Sequence, residues 1–364
     1  MNALKKRSCA LDIIRICAFL SVVSVHFFLN CDFYYTPVIG WEMFAMTVIR
    51  TFFMICVPLF LILTGFLMGK KKLEKGYYPK IAKTLFVYIA ASILCALYKK
   101  FYLGHDMGFA KGFAGILNYT SASYAWYIEM YIGLFLLIPF LNGAYSSLDN
   151  KKKKLILIFT LVFLTSLPSV INIYKFNSLS FWKTPSTEWQ YTKIIPSWWQ
   201  NIYPITYYFI GCYIKEFGIR LNKWLNLILI PIFALLFGAF NFYRSYNSTF
   251  ISGPWQDWGA LPNVIMTFLV FVFLLNFKLE KAPLFVKKGL NIISDACLGA
   301  YLLSYIFDQH FYPVLNEKIP LVTDRINYFI PVVITVAICS LALSLLIDAV
   351  YKLILISVRK IKTK

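Results

Sequence analysis

Long apolar runs separated by short polar loops fill most of the chain. Ten stand out, at about 9–29, 44–68, 79–98, 123–141, 154–172, 202–216, 224–243, 260–277, 290–310 and 329–357. Each comes near the roughly 20 residues that carry a helix across the hydrocarbon of a bilayer. None alternates apolar and polar residues with a period of two, so the pattern predicts helices and not the strands of a barrel. The run at 202–216 is short, and polar residues flank the one at 123–141. The expectation is an all-α polytopic membrane protein, a bundle of about ten transmembrane helices forming a single membrane domain over 1–364, with no soluble domain appended.

Composition agrees with this pattern. The chain is 60% hydrophobic and 14% charged, whereas soluble domains carry about 25% charged residues. The formal charge of +20 invites a nucleic-acid reading, but its distribution argues against one. Most of the 36 Lys and Arg fall at alternate loops, among them Lys5-Lys6-Arg7, Lys70–Lys72, Lys151–Lys154, Lys287-Lys288 and the tail "VRKIKTK". Basic residues concentrate on the cytoplasmic side of membrane proteins. The charge therefore predicts cytoplasmic termini in a multi-pass protein of the plasma membrane, with no nucleic-acid partner. The first run is long for a signal peptide and lacks a small-residue cleavage site. Most of the eight cysteines lie inside runs and form no C-x-x-C pair, so neither a disulfide framework nor a metal site is expected.

Within such a bundle, ionisable residues inside spans are costly and mark function. "LDIIRICAFLSVVSVHFF", residues 11–28, carries three: Asp12, Arg15 and His26. Asp12 and Arg15 are three apart and share a helix face. Arg15 and His26 are eleven apart, which leaves them within about 20° of one face and roughly 16 Å apart along the axis. The first helix thus presents a polar line from its cytoplasmic end towards its outer end. Glu129 is expected at the depth of His26, where it can orient an imidazole.

These residues resemble the acyltransferase 3 family of membrane acyltransferases. The Arg15-to-His26 spacing is similar to that family's first span, and "VPLFLILTGFLM" (57–68) is similar to its Phe-rich second segment. "YYPKIAKTLFVYI" (77–89) resembles its basic-x-x-basic entry to the third span, and "WYIEMYIGLFLLIPF" (126–140) its Trp-led span ending in Pro. "ITYYFIGCYIKE" (205–216) and "SDACLGAYLLSYIF" (294–307) match more loosely. This chain departs in having Lys80 and Lys83 where the family usually has Arg, and Ser304 where it often has His. It also lacks the extracytoplasmic esterase-like domain of longer members.

The resemblance implies transfer of an acyl group, commonly acetyl, from cytoplasmic acetyl-CoA to a hydroxyl of a cell-envelope or exported carbohydrate. His26 is then the expected catalytic residue, as general base or as transiently acetylated nucleophile, and Glu129, by its depth, its expected catalytic partner. Arg15, Lys80 and Lys83 would hold the donor, whose phosphates suit ammonium groups. Most of the nine Trp fall in or beside outer loops, and aromatic faces suit the apolar side of a sugar ring. Trp126, Tyr127 and Glu188 are the expected acceptor contacts, with Asp257 a further acid on that side. The loop 173–201 is the longest outside and the expected acceptor-facing element. The competing reading is a transporter or flippase for a sugar or lipid-linked substrate, but the paired inverted halves common in transporters are not visible in the sequence.

Overall fold

The computed structural model describes residues 8–106, 108–187, 191–277, 279 and 282–362. Among them the architecture is all-helical, with no β-strand. The longer helices in chain order are α1 (Cys9–Asn30), α2 (Gly40–Phe53), α3 (Cys56–Met68), α4 (Ala82–Phe101), α5 (Trp126–Ser146) and α6 (Lys151–Thr165). They continue with α7 (Tyr203–Phe217), α8 (Lys223–Ser245), α9 (Leu261–Leu275), α10 (Leu284–Lys318) and α11 (Phe329–Lys362).

Among the described residues, eight segments are long and apolar enough to cross a membrane, with α2 and α3 taken together as one. The runs at 154–172 and 202–216 instead fold as α6 and α7, of 15 residues each. At 1.5 Å per residue such a helix is about 22 Å long, and the short turns Pro168–Ile171 and Gln200–Ile202 extend the two runs towards the loop that joins them. Pro168 accounts for the early end of α6, because it opens a separate short turn, Pro168–Ile171.

The second apolar run is interrupted. α2 ends at Phe53, Met54 and Ile55 form a turn, and α3 begins at Cys56. Pro58 explains the position of the break. It has no N–H to donate to the Met54 carbonyl four residues back, and its ring excludes that carbonyl from the helix. Backbone that leaves a helix at membrane depth must be covered by protein or line a cavity. This break lines one.

α1 occupies the centre and packs against α2, α3, α9, α10 and α11. Apolar residues are buried around much of its circumference, including Ile14, Ala18, Phe19, Val23 and Phe27, as expected of a helix enclosed by others. Its C-terminal carbonyls are capped from outside. Arg325 Nη1 donates to Cys31 O at 3.0 Å and to Asp32 Oδ2 at 2.7 Å, and Asn316 Nδ2 donates to Asn30 O at 2.9 Å. These bonds satisfy groups that a helix end leaves open and fix the turn that carries His26. Asn30 Nδ2 donates in turn to His26 O at 2.7 Å.

α3 and α7 approach closely through glycines. A Cβ on Gly65 would collide with the Tyr208 carbonyl, and one on Gly211 with the Ile62 carbonyl. Small residues at such crossings let backbones meet where no hydrophobic driving force separates helix from lipid.

Candidate active site

His26 sits in the penultimate turn of α1 and is 8% exposed. Its Nδ1 lies 3.3 Å from Oδ2 of Asp308, on α10. Asp308 is fully buried. The same Oδ2 accepts a 2.8 Å hydrogen bond from the Tyr124 hydroxyl, and the Tyr124 ring stacks on the imidazole with centroids 3.8 Å apart. Ser304 Oγ lies 3.4 Å from Nδ1 and donates to Tyr301 O. With Nδ1 turned to a carboxylate, the tautomer set is an Nδ1–H donor and an unprotonated Nε2. This is the logic of a base oriented by a third group.

α10 supplies the partners of α1 at both ends. Arg15 Nη1 donates to Ser294 Oγ at 2.6 Å and lies 3.8 Å from Asp12 Oδ1. Ser294, Tyr301 and Asp308 recur every seven residues, so they share one face of the helix. Arg15 meets the start of that stripe and His26 its end, so α1 and α10 run in the same direction.

Two cavities open on either side of the stripe's midpoint. One, of about 390 Å³, is lined by His26, Arg50, Tyr124, Trp126 and Trp258, with the interrupted α2–α3 turn on its wall. The other, of about 330 Å³, is lined by Arg15, Thr64, Lys83, Tyr127, Tyr131 and Ser294. Tyr301 lines both. Its hydroxyl donates to the Tyr124 carbonyl, which holds the side chain between the two spaces. A third cavity, of about 310 Å³, adjoins the second at Leu67 and is lined by Lys70, Lys71, Lys154 and Lys215 with Glu216.

The structure sorts the expected residues differently from the sequence. His26 and Trp126 share the first cavity, where Trp126 packs on Trp258 with centroids 4.4 Å apart. Tyr127, the next residue of α5, turns to the second cavity with Arg15 and Lys83. Lys83 Nζ also pairs with Asp348 Oδ1 at 3.0 Å. Lys80 is exposed and lines neither cavity. Glu129 is exposed on the outside of α5 and lines neither cavity; the carboxylate beside the imidazole is Asp308. Glu188 lies outside the described residues.

The described part of the loop 173–201 lines neither cavity. It is fastened instead to α8, where buried Arg244 donates to Ile173 O and the Tyr191 hydroxyl, and Tyr243 donates to Trp182 O. The loop wall of the first cavity is Ser252 and Gln256–Trp258. Asp308 and Arg50 also stand as ionisable residues inside apolar runs, the same signal that singles out Asp12, Arg15, His26 and Glu129.

A buried histidine–carboxylate pair beside one of two adjoining cavities, inside a helical bundle, is an arrangement that can move a proton within the helices. The family comparison is specific about which class this is. Residues 10–348, nearly the whole chain, match the acyltransferase domain of the acyltransferase 3 family, and the chain belongs to that family. It is accordingly a membrane acyltransferase in the general sense. Comparison with curated proteins and with solved structures finds no match.

Proposed function

We propose that the protein transfers an acyl group, most simply acetyl, from cytoplasmic acyl-CoA to a hydroxyl of a cell-envelope or exported carbohydrate at the other face of the plasma membrane. The single observation that carries this reading is the pairing of His26 with Asp308 beside a cavity that shares Tyr301 with a second cavity, lined by Arg15 and Lys83. In this reading both termini are cytoplasmic, and the donor arm enters beside Arg15 and Lys83. Lys70, Lys71 and Lys215 line the adjoining space and suit the donor's phosphates as point charges. Lys80 stands outside these cavities and has at most a role in attracting the donor.

His26 Nε2 takes the proton of the acceptor hydroxyl as its oxygen attacks the thioester carbon, an assistance worth about 10²–10⁴-fold. Asp308 holds the ring in the required tautomer and stabilises the imidazolium that forms. The carbon–sulfur bond breaks as the ester bond forms, and His26 returns its proton to the departing thiolate. The products are an acylated carbohydrate and free CoA thiol. Family membership and the His26–Asp308 pair favour this over transport without chemistry.

The test is incubation of purified protein with radiolabelled acetyl-CoA and envelope carbohydrate. The expected result is label in the carbohydrate as an alkali-labile ester, dependent on both substrates. Movement of the carbohydrate across vesicles with no incorporated label would favour the transporter instead.

A further inference from the structure

Arg50 is a charged side chain in the acceptor cavity that the transfer chemistry leaves unused. It lies in the last turn of α2, just before the break imposed by Pro58, and is 5% exposed. Its Nε donates to the Tyr34 hydroxyl at 3.0 Å, and the guanidinium carbon sits 4.9 Å from the Phe250 ring centroid. Nη1 is buried with no hydrogen-bond partner. No carboxylate of the described residues lies within ion-pair distance of this side chain.

Other cations in the bundle are treated differently. Arg15 has Asp12, Lys83 has Asp348, Lys154 has Glu216 and Arg325 has Asp32. Arg244 has no acid either, but both of its terminal nitrogens bond to Ile173 O and Tyr191 and three rings surround it. A buried charge with no carboxylate bonded to it and an open N–H is retained at a cost that a ligand can relieve. Asp257 lines the same cavity and feels the charge of Arg50 across it, but the two make no ion pair, so the open Nη1 of Arg50 is not taken by this carboxylate. Two further buried polar atoms of the cavity residues lack partners, Gln256 Oε1 and Trp258 Nε1.

We propose that this cavity takes an anionic acceptor, a carbohydrate bearing a carboxylate or phosphate, and that Arg50 binds its oxyanion. The proposal rests on the acyltransferase reading above. A guanidinium matches either group with a two-pronged hydrogen bond and supplies the charge that neutral hydroxyls do not need. Trp258 Nε1 and Gln256 Oε1 offer one donor and one acceptor to the ring hydroxyls, and the packed Trp126 and Trp258 indoles offer an apolar face. Arg50 is an acceptor-binding residue here; the donor's own phosphates lie on the far side of Tyr301.

The test separates envelope carbohydrate by anion exchange into neutral, carboxylate-bearing and phosphate-bearing pools. Each pool is offered to full-length wild-type protein, Arg50→Gln and Arg50→Lys, with binding by equilibrium dialysis and transfer from radiolabelled acetyl-CoA both measured. The expected result is preferential binding and labelling of one acidic pool, which also names the anion. Arg50→Gln should raise KM for that pool at least about tenfold, in line with loss of a charge-assisted hydrogen bond, with kcat little changed. Arg50→Lys should restore part of the affinity, and a melting temperature equal to wild type excludes misfolding as the cause. Equal use of the neutral pool, or unchanged KM in Arg50→Gln, overturns the proposal. Binding of an acidic pool without any transfer would support the anion site while sinking the acyltransferase reading.

Discussion

Asp308 joins the His26 imidazole to a helix far away in sequence, and it does so without exposure to solvent. Replacing its carboxylate by the isosteric amide keeps the volume and an acceptor for the Tyr124 hydroxyl, but it no longer dictates the imidazole tautomer. Asp308→Asn is therefore expected to lower kcat at least about 10²-fold, with donor KM nearly unchanged, in a steady-state assay of CoA release. A loss confined to KM would assign Asp308 to substrate binding. The Arg15–His26 stripe was legible in the sequence because both residues lie on one helix, where 3.6-residue periodicity sets their relation. The partner of His26 was not, because it depends on α1 docking against α10. Depth alone points to Glu129, and depth does not say which way a side chain points. Structure turns Glu129 outwards and puts consecutive residues Trp126 and Tyr127 into different cavities.

At the scale of elements, the apolar runs gave the helices and missed their interruptions. Hydropathy sums over a window, so it cannot see that Pro58 divides one run at Met54 and Ile55, nor that Pro168 cuts another short. Both prolines were present to be read, and the rule that a proline disturbs the residue four before it locates the first break. Helix pairing was less accessible, since close crossing depends on matched glycines in distant runs. Gly211→Leu pushes a side chain into the Ile62 carbonyl of α3. Overpacking of this kind costs about 1–3 kcal/mol or more, so the variant is expected to melt at a clearly lower temperature in detergent. Gly133→Ala on α5 meets open space and should leave the melting temperature the same or slightly higher, by up to about 1 kcal/mol of helix propensity. Equal behaviour of the two would contradict the α3–α7 packing.

For the whole molecule, the polar cavities are two compartments with Tyr301 as their shared wall. Removing that wall should let water reach the thioester. Tyr301→Ala is expected to raise release of CoA thiol in the absence of acceptor while lowering transfer, as read by a thiol reagent against carbohydrate-bound label. Unchanged coupling would mean that Tyr301 does not separate the compartments. The proposed side of each compartment rests on the lysine distribution. In a background cleared of the eight native cysteines, a cysteine at position 72 should react only with reagent admitted to the cytoplasm, and one at position 185 only from outside. The reverse labelling would invert the orientation. Transfer through His26 between the compartments is tested most directly on a single preparation of His26→Ala, by measuring acetyl-CoA binding and acetyl transfer side by side. Donor affinity should match wild type, because Arg15 and the lysines lie in other cavities, while transfer falls at least about 10²-fold. Transfer at the wild-type rate in that preparation would contradict a reaction centred on His26.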